Sequence, residues 1–398
     1  MTTHRLLSTT RAGTARRQGG FSLSELMIGL MLGMFAVLII LQLLTTTNTQ
    51  QRVASTSSDA QINAATATHV LNRELAQVGM GVSAYTLLGC RLSFTTAVDS
   101  AAVTLDSLGP VTVNAATSLV PAGDARTDTL LLVSGNSAGS SEGDAVTAVT
   151  TASSYVVATP GAFAVGDRVV AAPVTRDSSS ACTLTLGRIT AISGYTLTVS
   201  AGTAGLPVGS AVYNLGSSPS IRAYAVRGGN LTVCDYLAYQ CGNTAYTATL
   251  NSNVWVPIAT NVPSLRAQYG RDTSSVAMDG VVDAYDQITP GSTADTSGFP
   301  VYCGWLRVIG LRLVLVARSQ DYDKDKPTTA APVWSGSTAN TSTSSVLTTL
   351  TPTAAPIDLT GYSDWQYHRY KTVETTVALR NIIWNGNQMT YQNGALAC

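Results

Sequence analysis

The chain has 398 residues, and its 23 Lys and Arg are matched by 23 Asp and Glu, giving a formal net charge of zero. Charged residues make up only 12%, about half the share of an average soluble domain. There is no basic surplus for nucleic acid. Three His and no Cys-x-x-Cys leave little for a metal centre.

Residues 1–20 read as a leader. They carry Arg5, Arg11, Arg16 and Arg17 and no acid. Residues 21–44 then form an unbroken apolar run whose one ionisable side chain is Glu25. As a helix this run is about 36 Å long, enough to cross a bilayer core of about 30 Å. A secretory signal places its cleavage site after a short apolar core. Here the only plausible processing site, Gly20–Phe21, lies before the apolar run, so cleavage leaves the membrane helix on the mature chain. A carboxylate inside a membrane is costly and usually has a partner.

The stretch Gly20-Phe-Ser-Leu-Ser-Glu25-Leu-Met resembles the type IV prepilin signal. That resemblance implies a dedicated prepilin peptidase that cuts after Gly20 and N-methylates Phe21. It also suggests the partner of Glu25, which is the cationic α-amine of Phe21 in a neighbouring subunit, since pairing relieves the cost of burying either charge alone. The positive leader stays cytoplasmic and the remainder lies outside the inner membrane.

Thr45–Gln51 is a polar junction, followed by Arg52. Residues 45–80 are expected to continue the helix in amphipathic form. An apolar stripe of Val53, Ile62, Val70, Leu71, Leu75 and Val78 packs on a head, and Asp59, Asn63, Arg73 and Gln77 remain wet. Gly79-Met80-Gly81 is the stop.

Beyond residue 81 no strong helix pattern appears, and short β-branched runs alternate with turn residues. Strands are expected over Thr129–Val133, Ser154–Ala158, Arg168–Ala172, Leu184–Ile192, Tyr195–Ser200 and Ala211–Leu215. Five more follow over Ile221–Arg227, Asn230–Cys234, Ser264–Tyr269, Leu306–Arg318 and Thr372–Trp384. Arg227-Gly-Gly-Asn230 is a hairpin turn. Residues 145–215 resemble a small β insertion within the head. Ser134–Asp144 is a Gly/Ser-rich loop, and residues 327–356 read as a mobile surface loop with Trp334 as its only aromatic.

All six cysteines (Cys90, Cys182, Cys234, Cys241, Cys303 and Cys398) follow the membrane helix. In an oxidising compartment they are expected to form disulfides. Six allow 15 pairings, among which the local Cys234–Cys241 loop is the best single choice. Gly135-Asn-Ser137-Ala-Gly139 fits Gly-x-Ser-x-Gly, but a nucleophile elbow needs a following helix and a nearby His. The three carboxylates of Asp321, Asp323 and Asp325 are spaced as in calcium loops. Lys326 and Pro332 stand where an EF-hand needs Gly and Glu, so a solvated turn is the favoured reading. Asp272, Asp279 and Asp283 form a second, weaker set. No other cofactor motif is present. Tyr236, Tyr239, Trp255, Trp334 and Trp365 are read first as core residues and second as partner contacts.

Several stretches then resemble the PilW-type minor pilins. These are Asp128-Thr-Leu-Leu-Leu-Val, Ile221-Arg-Ala-Tyr-Ala-Val-Arg-Gly-Gly-Asn-Leu-Thr-Val-Cys, Val262-Pro-Ser-Leu-Arg-Ala-Gln-Tyr-Gly-Arg-Asp, Met278-Asp-Gly-Val-Val-Asp-Ala-Tyr, residues 306–319 and Glu374-Thr-Thr-Val-Ala-Leu-Arg-Asn. The resemblance implies an α+β, pilin-like fold in which one long N-terminal helix precedes a large antiparallel β-rich periplasmic head (residues 81–398). It implies a non-enzymatic minor pilin that helps to start a type IV pilus. Its partners would be other minor pilins, the major pilin and a large tip adhesin, first in the inner membrane and then at the pilus tip. The J-type pseudopilin of type II secretion is the alternative, with a typically smaller head. A membrane-anchored periplasmic enzyme is the third reading, and it lacks a catalytic set.

Overall fold

The structure is a computed structural model that describes residues 20, 22–136, 139–173, 176, 182–274, 278–291, 300–335 and 355–383. The remainder of the leader, Phe21, Ser137, Trp384 and Cys398 lie outside the described residues. The chain divides into two compact units, Met1–Ser55 and Thr56–Cys398.

Helix α1 (Leu23–Gln77) is continuous, because no proline or glycine pair interrupts it before Gly79. Its end is tied down by three contacts. Gly79 takes φ +83° and donates its N–H to the Val133 carbonyl at 2.9 Å. The Asn381 amide donates to the Val78 carbonyl at 2.9 Å. Arg222 pairs with Glu74 at 2.9 Å.

From Thr56 onward the helix buries Ala60, Ala64, Ala67, Leu71 and Leu75, and Val78 just past its end continues the row. These recur at helical spacing on one face. Three are alanines, and small side chains let strands approach the helix closely. The expected stripe is corrected at Ile62, which is 61% exposed; it lies on a different face from the Ala60–Ala64–Ala67 row.

The strands follow in chain order. First come β1 (Arg91–Thr95), β2 (Ala102–Leu105), β3 (Val111–Val113) and β4 (Leu130–Ser134), then β5 (Asp144–Ala145), β6 (Ser154–Val156), β7 (Arg168–Ala172), β8 (Thr183–Ser193), β9 (Thr196–Val199) and β10 (Ala211–Gly216). The chain continues through β11 (Ser220–Arg227), β12 (Asn230–Asp235), a short helix α2 (Thr244–Ala248), β13 (Val256–Ala259), β14 (Ser264–Arg271) and β15 (Ala284–Asp286). A second short helix, α3 (Val301–Leu306), leads into β16 (Val308–Arg318), β17 (Val333–Trp334), β18 (Ala355–Pro356) and β19 (Tyr370–Ala378). Two expected strands are therefore trimmed. Residues 301–306 are helical before β16, and after Ala378 the Ile382 and Ile383 amides turn back to the Leu379 carbonyl.

The central sheet runs β13-β12-β11-β4-β3. In β4, Leu130 and Leu132 point into a core shared with α1, β14, β16 and Trp305. Leu131 and Val133 point into a second core with β1, β2, β7, β8 and β10. A strand covered on both faces reads as a continuous apolar run, as Leu-Leu-Leu-Val does. β16 is likewise covered on both faces: Leu311, Leu313 and Leu315 join the main core, while Val314 and Val316 pack with Trp334, Ile357 and Leu359. Trp334 is thus buried, and the two ends of the 327–356 stretch are pinned by β17 pairing with β18; residues 336–354 lie outside the described residues. The β11–β12 turn holds Gly228 and Gly229 at φ +57° and +72° between the paired Arg227 and Asn230. Two successive positive φ values define the I′ turn that suits strand twist.

The insertion between β4 and β11 closes on itself. β5 pairs with β10, β10 with β7, β7 with β8, β8 with β9 and β9 with β6. The bridge Val146–Val157 then joins the end of β6 back to β5. The result is a six-stranded barrel filled by Val146, Tyr155, Val157, Val169, Ile189, Leu197 and neighbours. Its two ends meet where Ser134 pairs with Ser220.

Leu71→Ala is expected to destabilise the β-rich unit by about 2–5 kcal/mol through lost burial and a residual cavity. Ile62→Ala is expected to change stability by about 0.5 kcal/mol or less. Urea unfolding followed by tryptophan fluorescence separates the two.

Candidate functional site

The first turns of α1 hold the residues singled out for processing and assembly. Gly20 is exposed, and a Cβ placed on it would meet nothing within 4 Å. Ser22 starts the helix. Its Oγ accepts the Glu25 N–H at 3.2 Å, and the Glu25 carboxylate accepts the Ser22 N–H at 3.1 Å. This reciprocal pair is a capping box, which satisfies two backbone donors that the helix leaves open. The signal for it, Ser-x-x-Glu, stands in the sequence at 22–25 and gives Glu25 a role within its own chain beside the intermolecular one that the resemblance implies.

From Leu23 to Leu44 sixteen large apolar side chains are between 48% and 82% exposed. This is the one described helix long and apolar enough to cross a membrane, by length and composition. At its polar end the Thr45, Thr46 and Thr47 hydroxyls donate back to the Gln42 and Leu43 carbonyls, so these side chains need no outside partner.

The cysteines of the β-rich unit are joined. Cys234 bonds Cys241, and Cys90 bonds Cys182 across a separation of 92 residues; Cys303 is also disulfide-bonded. The second bridge links the start of β1 to the start of β8, two strands that pair in parallel.

The carboxylate sets are not gathered into ligand shells. Among the described residues no group of three or more His, Cys, Asp or Glu is placed to hold a metal. Asp323 takes an ion pair from Arg369 at 3.0 Å and the Asp325 N–H at 3.2 Å. Asp272 is fully buried and accepts the Ser274 and Gly280 N–H groups, while Asp283 accepts the Thr273 N–H and Asp279 the Val281 N–H. Asp272, Asp279, Asp283 and Asp323 each hold backbone N–H groups of the loops around them.

His368 also serves the fold. It is buried, with Nδ1 2.9 Å from the Ser319 carbonyl and Nε2 3.0 Å from the Asp364 carboxylate. Of the singled-out aromatics, Tyr236, Trp255 and Trp334 are buried, and Trp255 lies under Arg227 at 4.2 Å. Tyr239 and Trp365 are half-buried.

Against this geometry the comparisons are direct. Residues 234–381 match the family model for Type IV Pilus-assembly protein W, so this part of the chain is similar to that family. No curated protein and no solved structure matches it. The matched stretch runs from β12 past β19 to Asn381, the residue that ties down the end of α1; it leaves out the barrel. The match supports a role in type IV pilus assembly, and with the apolar helix it points to a membrane-anchored protein.

A pH dependence follows from Asp364. Burial raises its pKa, but the His368 hydrogen bond and the Arg318 charge outweigh that and hold it below its ordinary 3.8. A carboxylate depressed in the folded state stabilises above its unfolded pKa, and the stabilisation is lost as pH falls through the folded value. Asp364→Asn is therefore expected to lower the melting midpoint at pH 7, by an amount that shrinks progressively below pH 3.8. Melts across that range check it.

Proposed function

We infer that this PilW-like chain acts as a minor pilin, a low-abundance subunit that helps to start a type IV pilus within a priming complex at its tip. The observation that carries the reading is the exposed apolar helix with Glu25 in its first turn, preceded by an exposed Gly20, on a chain whose residues 234–381 match a pilus-assembly family. Cleavage after Gly20 by the prepilin peptidase frees and methylates the Phe21 amine. The apolar helix is held first by the inner membrane and then by neighbouring helices in the filament. The β-rich unit stays on the periplasmic side, where its disulfides persist. Its partners are other minor pilins, the major pilin and a tip adhesin. The protein's work is structural rather than catalytic.

Glu25 links the two stages. In the isolated chain the capping box occupies its carboxylate. In a bundle the cationic Phe21 amine of the next subunit offers a stronger, charge-assisted partner in a medium of low dielectric. Exchange of one for the other favours assembly without leaving a buried charge alone.

Two outcomes are expected. Terminal sequencing of the membrane-extracted protein begins at Phe21; a terminus at Met1, or one far beyond Leu44, overturns the reading. Glu25→Ala inserts into the membrane normally but recovers at least tenfold less of the other pilus subunits on pull-down. Undiminished recovery removes the assembly role of Glu25.

A further inference from the structure

Cys303 is disulfide-bonded, yet the bridges Cys90–Cys182 and Cys234–Cys241 do not include it. Among the described residues no cysteine is free. The chain has six cysteines, so within the chain one candidate remains as the partner of Cys303, which is Cys398. The alternative is a cysteine of a second copy.

Burial and topology decide between them. Cys303 lies in α3, fully buried in the main core with Val78, Leu88, Trp305, Leu379 and Ile382. A sulfur from a second copy would have to enter that core from outside. The chain itself already returns to it. β19 pairs with β16 as far as Ala378 opposite Gly310, and Leu379 then donates its N–H to the Ile309 carbonyl at 2.8 Å, just beyond the end of α3. The turn that follows places Leu379 and Ile382 in the same core as Cys303. Cys398 comes 15 residues after Ile383. Fifteen extended residues reach about 50 Å, so the length of the link is no obstacle. The three bridges also follow one another along the sequence, and none interleaves with another.

We propose that Cys303 and Cys398 form the third disulfide, which joins the chain beyond Ile383 back to α3. The bridge bears on the helix stop as well, because the turn at its root carries Asn381, whose amide holds the Val78 carbonyl. It rests on the periplasmic placement inferred above, which supplies the oxidant. As the S–S bond forms, the two thiols give up two protons and two electrons. Both pass, through a mixed disulfide, to the disulfide of a dithiol–disulfide oxidoreductase, which leaves as its dithiol. A sulfur as buried as that of Cys303 is out of reach once α3 has packed. The bond therefore forms before or during that packing, and a reductant reaches it only after local opening.

The test is disulfide mapping of the full chain, extracted into detergent micelles without reductant, alkylated with iodoacetamide and cut with trypsin. Cleavage after Arg271, Arg307 and Arg380 isolates residues 272–307 and 381–398, each with one cysteine. The two peptides are expected as one linked species that separates on reduction, from protein that runs as a monomer on non-reducing electrophoresis. Alkylated Cys303 and Cys398 beside an intact Cys234–Cys241 bridge overturn the pairing alone. Alkylation of all six cysteines overturns the periplasmic placement with it. A covalent dimer, or residues 272–307 linked to any other peptide, also overturns the pairing. Cys398→Ser is expected to lower the melting midpoint by about 5 °C, and an unchanged midpoint removes the bridge's hold on the fold. The mapping uses the unaltered chain, so it stands whether or not that variant folds.

Discussion

Sixteen uncovered apolar side chains along the first half of α1 set the terms for the protein. Each large apolar group gains about 1.5–3 kcal/mol when taken out of water, so the helix is driven, by tens of kcal/mol in sum, into lipid or against other helices. Any polar group carried with it must be satisfied locally. The capping box does this for the Ser22 and Glu25 N–H groups, and the back-bonded threonines do it at the far end. The same device places the Glu25 carboxylate at the helix start, against the Ser22 N–H.

The β-rich unit answers a different constraint. Its central sheet is covered on both faces, and β4 and β11 lie between two cores. Their pairing brings the ends of the inserted barrel together at Ser134 and Ser220. A segment whose ends already meet can be long without a large added cost, because loop-closure entropy grows only slowly with length. The barrel fills its own interior, while the outward faces of β7, β8 and β10 complete the second core over the central sheet and β8 pairs with β1. The barrel lies outside the stretch that matches the pilus-assembly family.

Much of this was legible from residues alone. The long helix follows from an apolar run without proline, its stop from Gly79-Met80-Gly81, and the hairpin from Arg227-Gly-Gly-Asn230. β4 and β16 are visible as apolar runs because burial on both faces removes the polar alternation. β1, β2 and β3 are short and mix Ser and Thr with apolar residues, so they carried no comparable signal and were missed. α2 and α3 span five and six residues, too short for a helical period to show.

Residue order alone was enough to read an apolar helix over 21–44, β structure beyond residue 81, and which residues are chemically able to cap, pair or cross-link. These are local properties, encoded within a few residues of one another. Only the tertiary structure decided which face of the helix is buried, and it chose the alanine row over Ile62. It chose among 15 possible pairings of cysteines by bringing Cys90 to Cys182. It paired Asp323 with Arg369, closed the barrel through Val146 and Val157, and set Arg168 opposite Arg188. Each of these depends on groups far apart in the chain, whose approach is fixed by packing and register rather than by spacing.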